Sequence, residues 1–181
     1  SKGTEVTLEG IQWSSATGDS GFGAGAGPRE TQRMIFGFPG RADYVDGQGH
    51  AWWPCTEWIL RAGPLADVVQ RGWWTQRRRL HIDGTSDPEL YRYGAHGPEF
   101  WANVTVGPGT FHVRLKFADA SIPAPKEALQ RAVTVLLNGE EKVTDMDVAA
   151  TAGGANRAVD LVFNGVEPRN GVIEVRFVNR H

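Results

Sequence analysis

Gly107-Pro108-Gly109-Thr110-Phe111-His112-Val113-Arg114-Leu115-Lys116-Phe117 is the stretch whose reading decides the fold. Gly-Pro-Gly is a turn with a mechanism: proline presets φ, and glycine takes conformations closed to other residues. From Phe111 the chain alternates. Phe111, Val113, Leu115 and Phe117 point one way, and His112, Arg114 and Lys116 the other. A period of two means a strand with one face in a core and one turned outward. Further along, Val133–Leu137 is followed by Asn138-Gly139, then by Glu140–Thr144 as a returning strand. Asn-Gly between such runs marks a type I′ hairpin, because both central residues need φ > 0. Val159–Phe163 and Val172–Val178 read as further strands, the latter joined through the turn Pro168-Arg169-Asn170-Gly171, with Ile173, Val175 and Phe177 as its core face. Toward the N-terminus, Val6–Glu9 and Met34–Phe38 complete the set. The one helix-like stretch is Lys126–Gln130, and residues 14–29 read as a glycine-rich, mobile loop. Short strands punctuated by Gly/Pro turns predict an all-β fold, an antiparallel, jelly-roll-like β-sandwich forming one domain over residues 1–181.

Composition agrees. The chain has 181 residues, of which 40% are hydrophobic, enough for a core without staples. Lys and Arg number 19 against 21 Asp and Glu, so no basic nucleic-acid footprint is expected. The single cysteine, Cys55, excludes a disulfide framework and a thiolate zinc site. No apolar run approaches the roughly 18 residues of a membrane span, so no membrane partner is expected. Ser1-Lys2-Gly3-Thr4 is read as a trimmed edge rather than a signal peptide.

Catalytic strings fail on context. Gly18-Asp19-Ser20-Gly21 resembles the surroundings of a serine-protease nucleophile, but no histidine precedes His50. The glycine run from Gly21 to Gly27 leads to Pro28 and a strand, not to the helix a phosphate loop requires. Asp83, Asp87, Glu89, Asp145 and Asp147 offer carboxylates for glycoside chemistry, yet their spacing selects no pair. Asp43, Asp46 and His50 read as turn-capping residues; calcium is the alternative, with too few acids for a calcium loop, so no metal or other cofactor is expected. His81 and His112 sit in strand patterns as outward-facing residues, and the Asn103-Val104-Thr105 sequon is discounted because it lies within a strand.

The aromatics carry the functional signal. Seven tryptophans are present, several in adjacent pairs: Trp52/Trp53, Trp73/Trp74 and Phe100/Trp101. Neighbouring residues of a strand face opposite sides, so one of Trp52/Trp53 and one of Trp73/Trp74 must meet solvent, an edge or a cleft. Exposed rings beside planar polar side chains suit sugars, whose C–H faces pack on aromatics while their hydroxyls take hydrogen bonds. A second packing layer under long loops is the plain alternative.

Several blocks resemble the malectin and malectin-like carbohydrate-binding family. Residues 41–52, from Arg41-Ala42-Asp43-Tyr44-Val45-Asp46-Gly47 to Trp52, look like the family's opening turn. Ile82 to Gly94, with Asp87-Pro88, Leu90-Tyr91 and Arg92-Tyr93-Gly94, resembles its next signature, and Val106 to Asp119 its most recognisable strand. Val135–Gly139, Asp145–Val148 and Ile173–Val178 keep the order, so the likeness spans residues 38–178 and leaves 1–37 as an N-terminal extension without a clear counterpart. The family usually adds one more strand beyond the present end, which predicts a replacement from residues 1–37, with Val6–Leu8 or Met34–Phe38 as candidates.

Malectin is a β-sandwich lectin for short α-linked glucose oligosaccharides, and bacterial relatives are modules of polysaccharide-degrading enzymes. The resemblance therefore implies a non-catalytic module for a poly- or oligosaccharide, attached to or beside a glycoside hydrolase or lyase, secreted or periplasmic. By the family's pattern, stacking falls to Trp74 and Tyr93, with His96 near Tyr93. Trp52, Trp53, Trp73 and Trp101 are further candidate rings, and Asp43, Arg92, His96 and Glu99 candidate polar contacts. The family's aromatic pair falls on Ser121 and Ile122, so malectin's own sugar specificity does not transfer. Two rivals stand beside this reading: an accessory domain that docks on a neighbouring enzyme domain without binding glycan, and a small glycan-active enzyme.

Overall fold

In a computed structural model of the chain, the described residues are 6–8, 10–15, 31–55, 73–76, 79–119 and 132–180. Among them run the strands β1 (Val6–Leu8), β2 (Gly10–Ser15), β3 (Gln32–Phe36), β4 (Tyr44–Val45), β5 (Ala51–Cys55), β6 (Trp73–Gln76) and β7 (Tyr93–Gly97). They continue as β8 (Glu99–Thr105), β9 (Phe111–Ala118), β10 (Val133–Leu137), β11 (Glu140–Met146), β12 (Ala158–Val166) and β13 (Val172–Val178). A 3₁₀ turn, Pro88–Tyr91, and a short helix, α1 (Val148–Ala152), interrupt them.

One sheet has the order β12-β9-β2-β3-β5-β4, a second β11-β10-β13-β8, and a small third β1-β7-β6. The first two pack face to face. Between them lie Phe111, Val113, Leu115 and Phe117 of β9 and Ile173, Val175 and Phe177 of β13, the core faces that alternation assigns. Phe177 stacks on Phe100 at 4.9 Å between centroids and meets Phe117 edge-on at 6.2 Å. Each ring buried this way contributes about 1.5–3 kcal/mol.

The sandwich departs from an all-antiparallel one at a single described pair. β3 and β5 run parallel, with Met34 opposite Trp53. The chain leaves β3, moves to the outer position as β4, and returns through the Asp46–Gly49 turn, so that β5 enters between them.

The Asn138-Gly139 hairpin turn forms as read, and the Pro168–Gly171 turn links strands of different sheets. Asn138 and Gly139 have φ of 51° and 81°, and Asn170 and Gly171 have 51° and 75°. The residues before β4 supply strands: Gly10–Ser15 and Gln32–Phe36, the latter overlapping the candidate Met34–Phe38, are neighbours in the six-stranded sheet, and the candidate Val6–Leu8 pairs with β7. Ser14 and Ser15, assigned to a loop by composition, are therefore strand residues, while 16–29 and the Lys126–Gln130 stretch lie outside the described residues.

A second core covers the other face of the six-stranded sheet. Ile35 and Trp52 meet Ile82, Leu90, Tyr91 and Tyr93, with Ala118 beneath. This layer overturns one expectation: Lys116, read as outward-facing, is only 6% exposed. Its face of β9 is roofed by residues 80–93, which the alternation of β9 alone cannot reveal. The roof is fastened along its length. Asp83 exchanges backbone hydrogen bonds with Asn156 and Ala158, at 2.8 Å each, and the Tyr91 hydroxyl donates to Asp160 at 2.6 Å. His81, exposed beside Asp83, belongs to this loop segment and not to a strand.

Candidate functional site

Beside the second core the roof stops short of the sheet, leaving a cleft of about 180 Å³. Its floor is one row across three strands. Gln12 of β2 pairs with Arg33 of β3 on one side and Arg114 of β9 on the other, so the three side chains share the outer face. Arg33 is 6% exposed and Gln12 4% exposed. Burial pushes the Arg33 guanidinium down from its ordinary pKa; the Asp46 carboxylate opposes that shift and Arg114 adds to it.

One wall is the turn from Asp46 to His50. Asp46 Oδ1 accepts the backbone N–H groups of Gln48 and His50 at 2.9 Å each. Its Oδ2 accepts Trp52 Nε1–H at 2.8 Å and lies 3.3 Å from His50 Nδ1. Burial alone would raise the Asp46 pKa, but these donors outweigh it and hold the carboxyl below the usual aspartate range. The turn-capping reading of this residue is correct, with an added link into the second core through Trp52.

The opposite wall is Thr85, Ser86 and Asp87, leading into the 3₁₀ turn. Asp87 caps nothing in its own turn. Its carboxylate instead crosses the cleft mouth, accepting the Tyr44 hydroxyl at 2.6 Å and Gly47 N–H at 2.9 Å. Burial and this hydrogen bond push the Tyr44 hydroxyl well above its ordinary pKa, keeping it a neutral donor. At the inner end the Lys116 ammonium donates to the Tyr91 hydroxyl at 2.9 Å and to Asp160 at 3.0 Å. It also lies 5.5 Å from the Trp52 ring centre and 4.9 Å from that of Tyr91. Burial lowers its pKa and Asp160 counters the shift.

The candidates from sequence scatter over the molecule. Of the rings, Trp52 lines the cleft, but it is 2% exposed with its N–H engaged by Asp46, so it offers no free face for stacking. Tyr93 is 5% exposed, packed edge-on against Phe38 at 5.3 Å, and is likewise a core ring. Trp53 is 55% exposed at the sheet edge, so the Trp52/Trp53 pair divides between core and solvent as strand geometry requires. The backbones of Trp73 and Trp74 pair with His96 and Ala95 across β6 and β7; Ser121 and Ile122 lie outside the described residues.

Trp101 lies on the outer face of the other sheet. The Arg176 guanidinium sits 5.7 Å from its ring centre and also pairs with Glu99. Arg92 braces the roof, its Nε–H donating to the Leu80 carbonyl at 2.7 Å while its guanidinium pairs with Glu89. Asp43 is exposed before β4. Among the described residues no three His, Cys, Asp or Glu side chains gather as a metal would need, and no helix is long and apolar enough to cross a membrane.

Sequence reasoning missed the floor. Arg33 stands in a strand whose start was set at Met34, and Gln12 in a strand not recognised at all. Arg114 was placed on the correct face, and its neighbours across β2 were the missing information.

These features define a single mostly-β domain of two packed sheets with a roofed polar cleft on one outer face. The chain belongs to the malectin domain family, whose model matches residues 39–181. No curated protein matches it in sequence. Among solved structures it is similar to the plant receptor-like kinase ANX2, with a TM-score of 0.61, 16% identity, and coverage of 81% of this chain and 42% of that one. A β-glucuronidase of Bacteroides uniformis gives a TM-score of 0.57 at 15% identity, covering 77% of this chain and 15% of that one. The β-glucuronidase 2 of the same organism, covalently bound to cyclophellitol-6-carboxylate aziridine, gives 0.59 at 11% identity, over 96% of this chain and 24% of that one. The chain thus spans less than half the length of each, and the likeness at these identities is one of fold.

Proposed function

We propose that this domain is a non-catalytic carbohydrate-binding module, working outside the cytoplasm and attached to, or beside, a glycoside hydrolase or lyase. The observation that carries the proposal is the cleft. In a malectin domain, planar and hydroxyl side chains converge on one sugar-sized concavity: Arg33 and Gln12 below, Gln48 and His50 on one wall, Thr85 and Ser86 on the other. Such groups hydrogen-bond the hydroxyls of a sugar ring. The Bacteroides β-glucuronidases support the attachment, since a fold of this kind occupies a fraction of a larger glycosidase chain. The β6–β7 strip, where the backbones of Trp73 and His96 stand opposite one another, is the second place where glycan would make contact, and Trp74 beside it is the ring assigned to stacking.

The test is a titration of the protein with soluble plant, algal and microbial polysaccharides, followed by tryptophan fluorescence and calorimetry. A saturable response to one glycan class is expected, with no reducing ends released from the bound glycan. A flat response from demonstrably folded protein would turn the reading to a docking domain. Trp74→Ala is expected to weaken binding by roughly tenfold, the scale of one lost stacking contact, while leaving the unfolding midpoint unchanged. Full affinity in the folded variant would remove Trp74 from the site.

A further inference from the structure

We infer that Trp53 is the platform of a second sugar contact, on the face of the β4–β5 hairpin opposite the cleft, with Gln32 and Asp43 at its flanks. The inference rests on the glycan-binding reading above and adds a separate place of contact to it. Strand register puts the parts on one face. Trp53 pairs with Met34 across the parallel β3–β5 ladder, and Val45 with Ala51 across β4 and β5. Carried on, the same registers set Gln32 against Ala51, and Asp43, just before β4, against Trp53. Trp52 and Tyr44 take the other face, toward the second core. Trp53 points to the side of the sandwich core. That core takes Met34 and Phe36 of β3 but, among the described residues, none of β4 or β5. The hairpin therefore overhangs it: Trp53 is 55% exposed, Val45 is 59% exposed, and Ala51 is exposed beside them.

The flanks of the ring are polar. Gln32 and Asp43 are both exposed. Among the described residues, neither of these side chains nor the Trp53 indole makes a hydrogen bond, ion pair or ring contact. Trp52, by contrast, gives its Nε1–H to Asp46. An indole face takes the C–H side of a pyranose, and at the sugar hydroxyls the Gln32 amide donates and the Asp43 carboxylate accepts. Size favours a sugar over a protein. A tryptophan buries about 150–250 Å², whereas a stable protein partner covers about 800 Å² on each side. Val45 and Ala51 do not make up the difference, so the shelf suits one sugar ring. Cleft and platform lie on opposite faces of one hairpin. A short sugar fills one of them, while a polymer has units for both and gains affinity from the second contact.

The experiment is calorimetry of the natural protein, Trp53→Ala and Trp53→Phe with soluble mixed-linkage β-glucan, xyloglucan, alginate and dextran. For the polysaccharide that binds, Trp53→Ala is expected to lose about tenfold in affinity, the scale of one stacking contact. Trp53→Phe, which keeps a ring, should lose less, and Gln32→Ala and Asp43→Ala should each lose a smaller factor. Trp53 is more than half exposed, so its variants are expected to keep the natural unfolding midpoint. Saturating polysaccharide should also shield tryptophan fluorescence from acrylamide in the natural protein, and less so in Trp53→Ala. Unchanged polysaccharide affinity in folded Trp53→Ala overturns the inference and leaves the glycan-binding reading standing. A natural protein that sediments as a dimer without glycan, beside a monomeric Trp53→Ala, gives the shelf to a second copy and overturns the inference as well. Binding of none of the four polysaccharides by folded protein overturns both.

Discussion

Asp46 shows how much one side chain can organise. It closes its own turn through two backbone amides and reaches into the second core through Trp52 Nε1, so wall and roof share one anchor. Asp46→Ala strands those donors and is expected to cost about 1.5–3 kcal/mol, the range for hydrogen bonds to a charged group, measured by urea unfolding. Asp46→Asn, which keeps an acceptor oxygen, should cost less. The pH dependence follows from the direction of the shift. A carboxyl whose pKa is lower when folded stabilises the fold fully above its unfolded value of about 3.9, and that stabilisation is lost as pH falls through the folded pKa. The thermal midpoint of the natural protein should therefore fall more steeply than that of Asp46→Asn from about pH 4 downward. Sequence spacing identified Asp46 as a cap, since Asp before Gly-x-Gly is a local turn signal. The bond to Trp52 was beyond it, because it depends on which member of the Trp52/Trp53 pair faces inward.

Strands and turns divide by whether one face or two is covered. β13 and the first half of β9 were legible because one buried face leaves an alternating pattern, and the β10–β11 hairpin because Asn138-Gly139 marks its turn. β7, Tyr-Gly-Ala-His-Gly, was not: it is buried on both sides and carries two glycines, so no period survives. The helix α1 escaped for another reason. It is one turn long, held by Asp147 accepting the Ala150 amide and by Gly153 at φ 81°, and too short for a helical period. The Asn-Gly turns, by contrast, depend on backbone conformation alone. At Gly139, φ is 81° and a Cβ would meet nothing nearer than Arg169 Nη1 at 3.8 Å. Gly139→Ala should thus cost about 1–2 kcal/mol from the left-handed conformation, with no steric component. Gly47→Ala, in open space and without a positive φ, should stay within about 0.5 kcal/mol of the natural protein. Chemical denaturation of both variants separates conformational strain from mere loss of a glycine.

At the scale of the molecule, the six-stranded sheet is a wall with a core on each side, and only one of those cores shapes the cleft. This arrangement separates stability from binding, and two matched truncations test it. Leu137 lies in the sandwich core at 2% exposure, and Leu90 in the second core at 6%, where it also lines the cleft. Either Leu→Ala change removes the same atoms and should destabilise by about 2–5 kcal/mol, depending on how far each cavity collapses. Their effects on glycan affinity should part. Leu137→Ala, once folded, leaves the Arg33–Gln12–Arg114 row and both walls untouched and should bind as the natural protein does. Leu90→Ala loosens the 3₁₀ turn that carries Thr85, Ser86 and Asp87 toward the cleft, and should lose affinity by roughly the same factor as a displaced hydrogen-bonding wall, about tenfold. The comparison is made at a temperature where circular dichroism shows both variants folded. Equal affinity in the two would mean that the second core supports the fold alone and that the glycan is held elsewhere, with the β6–β7 strip the next place to look.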